Sequence, residues 1–217
     1  HAFRAGALRF PARALIGDRI GLDYNRAPGG GAYRTFAALF GPDAVARANI
    51  EDDAPDDQRW ISMLRTGAYT WAFGSGSAGP GLISYLGIEG PYSSATSTDF
   101  EGNVHAAFYL LMGSFFLDWD QPDELLKAAL ASETCGLGSG WSGRPSLIMH
   151  PMGLGETVGF GVRLTQNNDG SDYFSPSNAF NRGIHIAWMG DPTLRLDYTA
   201  PVSSLKGTGA ATTVALS

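Results

Sequence analysis

The stretch Val104-His105-Ala106-Ala107-Phe108-Tyr109-Leu110-Leu111-Met112 is apolar throughout except for His105. A run this short and this uniformly apolar reads as a strand buried on both faces, not as an amphipathic surface element. Two other runs share its character, Tyr69 to Phe73 (YTWAF) and Ile184 to Met189 (IHIAWM). Between and before them lie segments with helical spacing. Gln58 to Thr66 puts Trp60, Ile61 and Leu64 on one face, Tyr33 to Phe40 is stopped by Gly41-Pro42, and Asp123 to Ser132 follows Pro122 with an acidic first turn. Strands alternating with helices predict a three-layer α/β domain, a mainly parallel sheet flanked by helices. The three apolar runs are expected to be neighbouring, mostly buried strands.

The weaker signals fill in around this frame. Ala12 to Ile16 predicts a short strand ending at Gly17-Asp18, and Leu147 to Met149 and Leu194 to Tyr198 predict two more. Gly29 to Gly31 reads as a flexible loop, Leu82 to Leu86 as a short helix, Ser93 to Asp99 as a polar loop, and Leu154 to Leu164 as a helix weakened by Gly159 and Gly161. Ala44 to Ile50 is ambiguous. The character changes after Asp197. Residues 1–199 read as the α/β domain, truncated at its N-terminus, and residues 200–217 as a linker and the first strand (Gly209 to Ser217) of an Ig-like β-sandwich domain.

Composition narrows the function classes. The 217 residues are 44% hydrophobic, so a core can form, and the net charge of −6 with no Lys/Arg run argues against nucleic acid as a partner. The longest largely apolar run, Ala106 to Leu117, has 12 residues, short of the roughly 20 that span a bilayer, so no membrane insertion is expected. One cysteine, Cys135, excludes an internal disulfide framework and a Cys-rich zinc site. The chain opens on His1 without a signal peptide and looks like an internal piece of something longer. Nothing in it speaks to oligomeric state.

In a parallel α/β sheet, ligands sit at the carboxyl ends of the strands. Three turns rich in Gly, Ser and Asp are expected there: Gly74 to Gly79, Gly113 to Asp120, and Gly190 to Pro192. They make Ser75, Gly76, Ser77, Gly113, Ser114, Asp118 and Asp191 the candidate cleft-lining residues. Gly74 to Gly79 also matches G-x-G-x-x-G, with Asp99 20 residues further on. The dinucleotide reading needs a full helix and strand between them, and Gly87, Gly90 and Pro91 interrupt both, which favours a tight turn. Asp118 and Asp120 flank Trp119 and project to one side if extended. They suit an acid pair or a cap on the following helix. Asp191, before Pro192, is expected to be held by backbone N–H groups or by Arg195 or Arg144, fixing a turn beside the cleft.

Nucleophilic catalysis needs a thiol or hydroxyl with a base. The candidates, if the protein is active, are Cys135 with His150 or His105, although each histidine fits a structural place at a strand end, and His185 sits within an apolar strand. For metals there is only the oxygen-rich turn Asn167 to Asp172, whose Asp169 and Asp172 would suit calcium but lack the closing Glu of an EF-hand loop. A solvated turn is the favoured reading, and no other cofactor is called for.

The run Gly190-Asp191-Pro192-Thr193-Leu194 resembles the G-D-P-[ST]-L ending of gingipain-type cysteine peptidase domains. The preceding elements are similar in order. A strand ends in a Gly-rich turn (Tyr69 to Gly79), and an apolar strand and turn follow (Phe108 to Phe115). Then come a helix with an N-terminal proline, a G-R-P segment (Gly143 to Pro145) and Gly153 to Thr157. The resemblance covers residues 65 to 198 and implies a caspase-like fold. It also implies where the catalytic pair would stand. Ser75 occupies the place of the histidine in G-H-G, and the nucleophile's place falls at Leu110 to Met112, which holds neither Cys nor Ser. The expectation is therefore a non-catalytic relative in a secreted or cell-surface multidomain bacterial protein, a scaffold or a binder of peptide or protein. The alternative is a cysteine peptidase using Cys135. A third reading, a carbohydrate-binding module using Trp119 and Trp141, fits the strand–helix alternation poorly.

Overall fold

The structure, a computed structural model, describes residues 2–24, 28–88, 90, 92–142, 147–167, 186–196, 207–210 and 213–216. The chain begins its sheet with β1 (Ala14–Asp18), followed by helices α1 (Arg19–Tyr24) and α2 (Pro28–Phe40), strand β2 (Val45–Arg47), helix α3 (Trp60–Thr66) and strand β3 (Tyr69–Ser75). A small antiparallel sheet comes next, β4 (Ala78–Gly79), β5 (Leu82–Ile83) and β6 (Ala95–Thr96), leading into helix α4 (Ser97–Glu101). The main sheet resumes with β7 (Ala106–Met112), helix α5 (Leu125–Ala131) and β8 (Gly138–Ser142). A 3-10 turn (His150–Leu154), helix α6 (Val158–Asn167) and β9 (Ile186–Gly190) complete it.

The order is β2-β1-β3-β7-β8-β9. Five strands are parallel, and β9 alone runs antiparallel, against β8. Strand alternation sends the side chains to two cores. On one face Tyr109 and Leu111 pack with Trp60, Ile61 and Leu64 of α3, Phe100 of α4 and Leu125, Leu126 and Ala129 of α5. On the other, Trp71, Phe73, Phe108 and Leu110 pack with Ala32 and Phe36 of α2 and Val158 of α6. This is the expected α/β sandwich with a mostly parallel sheet. Among the described residues no helix is long and apolar enough to cross a membrane.

Several expectations need correction. The three apolar runs are not all neighbours: β3 and β7 are, but β8 separates them from β9, which is only partly buried. Strand β8, Gly-Ser-Gly-Trp-Ser, gave no strand signal. Its glycines are required by packing, because a Cβ on Gly138 would overlap the Trp188 ring and one on Gly140 would lie 2.9 Å from it. Gly29 to Gly31 are helical, within α2, and not a loop. A Cβ at Gly29 would come within 2.6 Å of the Asp18 carboxylate, so close approach explains that glycine. Leu82 and Ile83 are strand, not helix, and Ala95 to Asp99 holds a strand and the start of α4, whose Thr96–Asp99 capping box the loop reading missed. Leu147 to Met149 form no strand, since the N–H groups of Ile148 and Met149 donate to Thr165 Oγ1 and Thr35 Oγ1. The helix expected from Leu154 starts at Val158, after the 3-10 turn.

Leu194 to Leu196 form no strand; Asp197 and Tyr198 lie outside the described residues. The C-terminal stretch is two strands, not one: β10 (Gly207–Ala210) pairs antiparallel with β11 (Thr213–Leu216).

Candidate functional site

The residues that matter lie in one row across the carboxyl ends of the parallel strands. Asp18 closes β1 and pairs in register with Ser75 at the end of β3, which pairs with Met112 at the end of β7. The next step across, one residue beyond the Leu111–Trp141 pair, brings Ser142 at the end of β8 level with Met112. Registered residues in a sheet share a face, and this row looks toward α2 and α6. The row also marks the point where the strand order reverses, since the chain passes from β1 outward to β2 and then back to β3. That is where an open α/β sheet presents a ligand crevice.

Here the crevice is closed by the protein itself. Ser75 Oγ donates to Asp18 Oδ1, and the serine has no exposed surface. Asp18 also accepts from Gly21 N at 2.9 Å, as the N-cap of α1, and from Gly29 N at 2.7 Å in the first turn of α2. One carboxylate thus joins two helix starts and two strands. Met112 is 3% exposed, a thioether in the apolar core. Ser142 is buried, and its hydroxyl has no hydrogen-bond partner among the described residues. Ser75 and Gly76 are therefore buried, and the open surface at this end belongs to Ser77, Ser114 and Asp118, with Gly113 half-buried.

The loop after β7 is built to stay put. Trp141 Nε1 donates to the Gly113 carbonyl at 3.1 Å, and a Cβ on Gly113 would overlap that of Ala78. Phe116 plugs the core, the Phe115 carbonyl accepts from Asp118 N, and Asp118 O accepts from Gln121 N. Lys127 Nζ donates to the carbonyls of Trp119 and Gln121. Leu125 N donates to Pro80 O at 2.8 Å, so the β4–β5 hairpin lies alongside this loop. Phe115 has a φ of +68° and is 59% exposed; Trp119 is 47% exposed. A left-handed non-glycine backbone costs roughly 1–3 kcal/mol. Among the described residues the other non-glycines with positive φ, Tyr85 and Tyr92, lie in the segment between β3 and β7. Tyr85 stacks under the Arg19 guanidinium, 3.7 Å from the ring centroid, and meets Tyr92 edge-on. Asp118 and Asp120 cap nothing: the N-cap of α5 is the buried Glu124, which accepts from Leu126 N and Lys127 N. Burial raises the Glu124 carboxyl above the ordinary glutamate range against those bonds.

The remaining candidates sit elsewhere. Because β9 runs antiparallel, its end lies level with the start of β8 (Gly138 opposite Gly190), so Asp191 belongs to the opposite rim and does not line the carboxyl-end crevice. Its partners are Thr193, through N and Oγ1, and Arg4, whose bonds together lower its pKa with the Thr193 hydroxyl first. Arg195 instead donates to Gly155 O.

His105 and Cys135 also stand at the amino rim. His105 precedes β7, and the Cys135 thiol donates to Ala106 O at 3.3 Å. Burial pushes that thiol up to about 11, partly offset by the Thr134 hydroxyl. No imidazole reaches it among the described residues. His150 opens the 3-10 turn on the α2 side, its N–H on Thr35 Oγ1, and partial burial lowers its pKa. His185, Arg144, Asp169 and Asp172 lie outside the described residues. Among the described residues no three His, Cys, Asp or Glu side chains converge to hold a metal ion.

Sequence reasoning missed Asp18, though an aspartate closing a strand just before a helix is an N-cap signal. Nothing in the sequence marked Ser142. No protein-family model matches the chain, and no curated protein or solved structure matches it either.

Proposed function

We propose that this chain is a non-catalytic, gingipain-like domain with a caspase-like fold, part of a secreted or cell-surface multidomain bacterial protein, working as a scaffold or peptide-binding module. The observation that carries the reading is the occupancy of the strand ends. Where the resemblance calls for an imidazole, Ser75 is buried and bonded to Asp18; where it calls for a thiolate, Leu110 to Met112 are all buried. A thiolate nucleophile needs a base within hydrogen-bond reach and must be accessible to substrate; a serine cannot supply that base, and both places are buried. The rigid loop with exposed Phe115 and Trp119 beside these ends supports a binding role. The β10–β11 pair is consistent with an Ig-like domain beginning there.

The alternative peptidase would have to use Cys135, whose thiol is protonated at neutral pH and meets no histidine among the described residues. The test incubates the purified chain with a broad peptide library and a thiol-directed activity probe. No cleavage and no probe labelling are expected. Saturable cleavage that disappears in Cys135→Ala would overturn the non-catalytic reading.

A further inference from the structure

We propose that the loop Ser114 to Asp123, with Leu82 of the adjoining hairpin, is a docking surface for a positively charged, extended polypeptide segment. The inference rests on the peptide-binding reading above and names its partner class. Three observations lead to it. Phe115, Trp119 and Leu82 are exposed apolar side chains on segments that lie side by side, tied by the Leu125 N to Pro80 O bond and by Gly81 against the Asp123 carbonyl. The loop holds them out rigidly, on two turns with Lys127 and Trp141 clamping its carbonyls, and Phe115 keeps a left-handed backbone while its ring stays in solvent. Packing gives no reason for that conformation, because the ring it presents is not buried.

The charge around these rings has one sign. Asp118, Asp120 and Asp123 are exposed, and none forms a salt bridge among the described residues. Lys127, a cation beside the loop among the described residues, is already engaged with loop carbonyls. Aromatic faces beside unpaired carboxylates attract ammonium and guanidinium groups through both the ring quadrupole and the net charge. The same carboxylates repel an acidic segment and an anionic membrane surface. A basic chain with interspersed apolar residues satisfies both halves of the patch.

The experiment titrates the full chain by calorimetry, at ~0.15 M salt to screen distant charges, with three peptides of about eight residues: alternating Lys-Leu, Glu-Leu and Gln-Leu. Peptide integrity is followed by chromatography. The Lys-Leu peptide is expected to bind, and the Glu-Leu peptide not to. The double variant Asp118→Asn/Asp120→Asn and the single variant Trp119→Ala should each weaken the Lys-Leu peptide about tenfold at unchanged melting temperature, tenfold being 1.4 kcal/mol. Equal binding of all three peptides, no binding of the Lys-Leu peptide, or a dissociation constant unmoved in both variants overturns the proposal. If the Gln-Leu peptide binds and the variants leave it unchanged, the docking assignment fails and the peptide-binding reading survives. If the Lys-Leu peptide is cleaved, the non-catalytic reading fails, while the docking assignment stands provided both variants still weaken its binding.

Discussion

The two ends of the sheet are built differently. At the carboxyl end, Asp18, Ser75, Met112 and Ser142 form a buried row in which one carboxylate gathers three donors. At the amino end, the Cys135 thiol is bonded to Ala106 O and the Asp191 carboxylate to Thr193 and Arg4, while His105 stands just before β7. The end where this fold usually places chemistry has been spent on structure. The end that keeps a thiol and an imidazole shows no hydrogen bond between them among the described residues. Residue types that suit catalysis are therefore present at the amino end, but the thiol is engaged with the Ala106 carbonyl and not with an imidazole among the described residues.

The sharpest way to break this contrast is Asp18→Ala. It strands Gly21 N, Gly29 N and Ser75 Oγ, and at ~1.5–3 kcal/mol for a hydrogen bond to a charged group, partly replaced by water, a loss of roughly 3 kcal/mol is expected in urea unfolding. Asp18→Asn keeps an acceptor and should lose about half as much. A wild-type midpoint for Asp18→Ala would show that the row is not a lock. Next is Ser75→His, which installs the residue type that the resembled gingipain-type domains carry at that place. With no free space around Ser75, the imidazole should cost about 1–3 kcal/mol by overpacking and create no hydrolysis; a stable, active variant would mean that the crevice opens readily.

Glu124→Ala should remove the α5 cap, a loss of ~1 kcal/mol. Glu124 also sets a pH slope. Its folded pKa is raised, so its contribution to stability is full below the unfolded glutamate value and is lost as pH rises through the folded one. Stability should fall across that window in the wild type and lose that component of the slope in Glu124→Gln; identical slopes would contradict the burial effect. Asp191→Ala should have the smallest effect, because the carboxylate is exposed. Its lowered pKa gives a stability that is present above the unfolded aspartate value and lost as pH falls through the folded one, so any shift in melting temperature should vanish in acid. A large, pH-independent drop would give Asp191 a structural weight that its surroundings do not.

Much of the frame was legible because burial on both faces writes itself as uninterrupted apolar sequence. Tyr69 to Phe73 and Phe108 to Met112 could be read that way, and α3 and α5 by their spacing. What could not be read was written in other parts of the chain. Gly-Ser-Gly-Trp-Ser is a strand because Trp188, across the ladder, fills the volume its glycines leave. Pro-Gly-Gly-Gly is a helix because Asp18 waits at its start. The candidate site suffered in the same way. Ser75 and Gly76 were placed at a strand end by pattern, but their burial and the bond from Ser75 to Asp18 depend on strand pairing. Asp191 was misplaced because sequence does not announce that the last strand turns round.

The glycine triplet of α2 bears on the order of folding. Each interior glycine disfavours a helix by about 1 kcal/mol relative to alanine, so Pro28 to Phe40 has little helicity of its own. Its first turn is held by an acceptor on β1, and that acceptor is oriented by a hydroxyl 57 positions further along the chain. The segment then closes only after β1 and β3 have paired, which makes it a late and separable folding unit. Amide exchange should reveal this as one cooperative opening of residues 28 to 32 at a free energy below that of the central strands, with the carboxylate of Asp18 acting as the hinge pin of the motion.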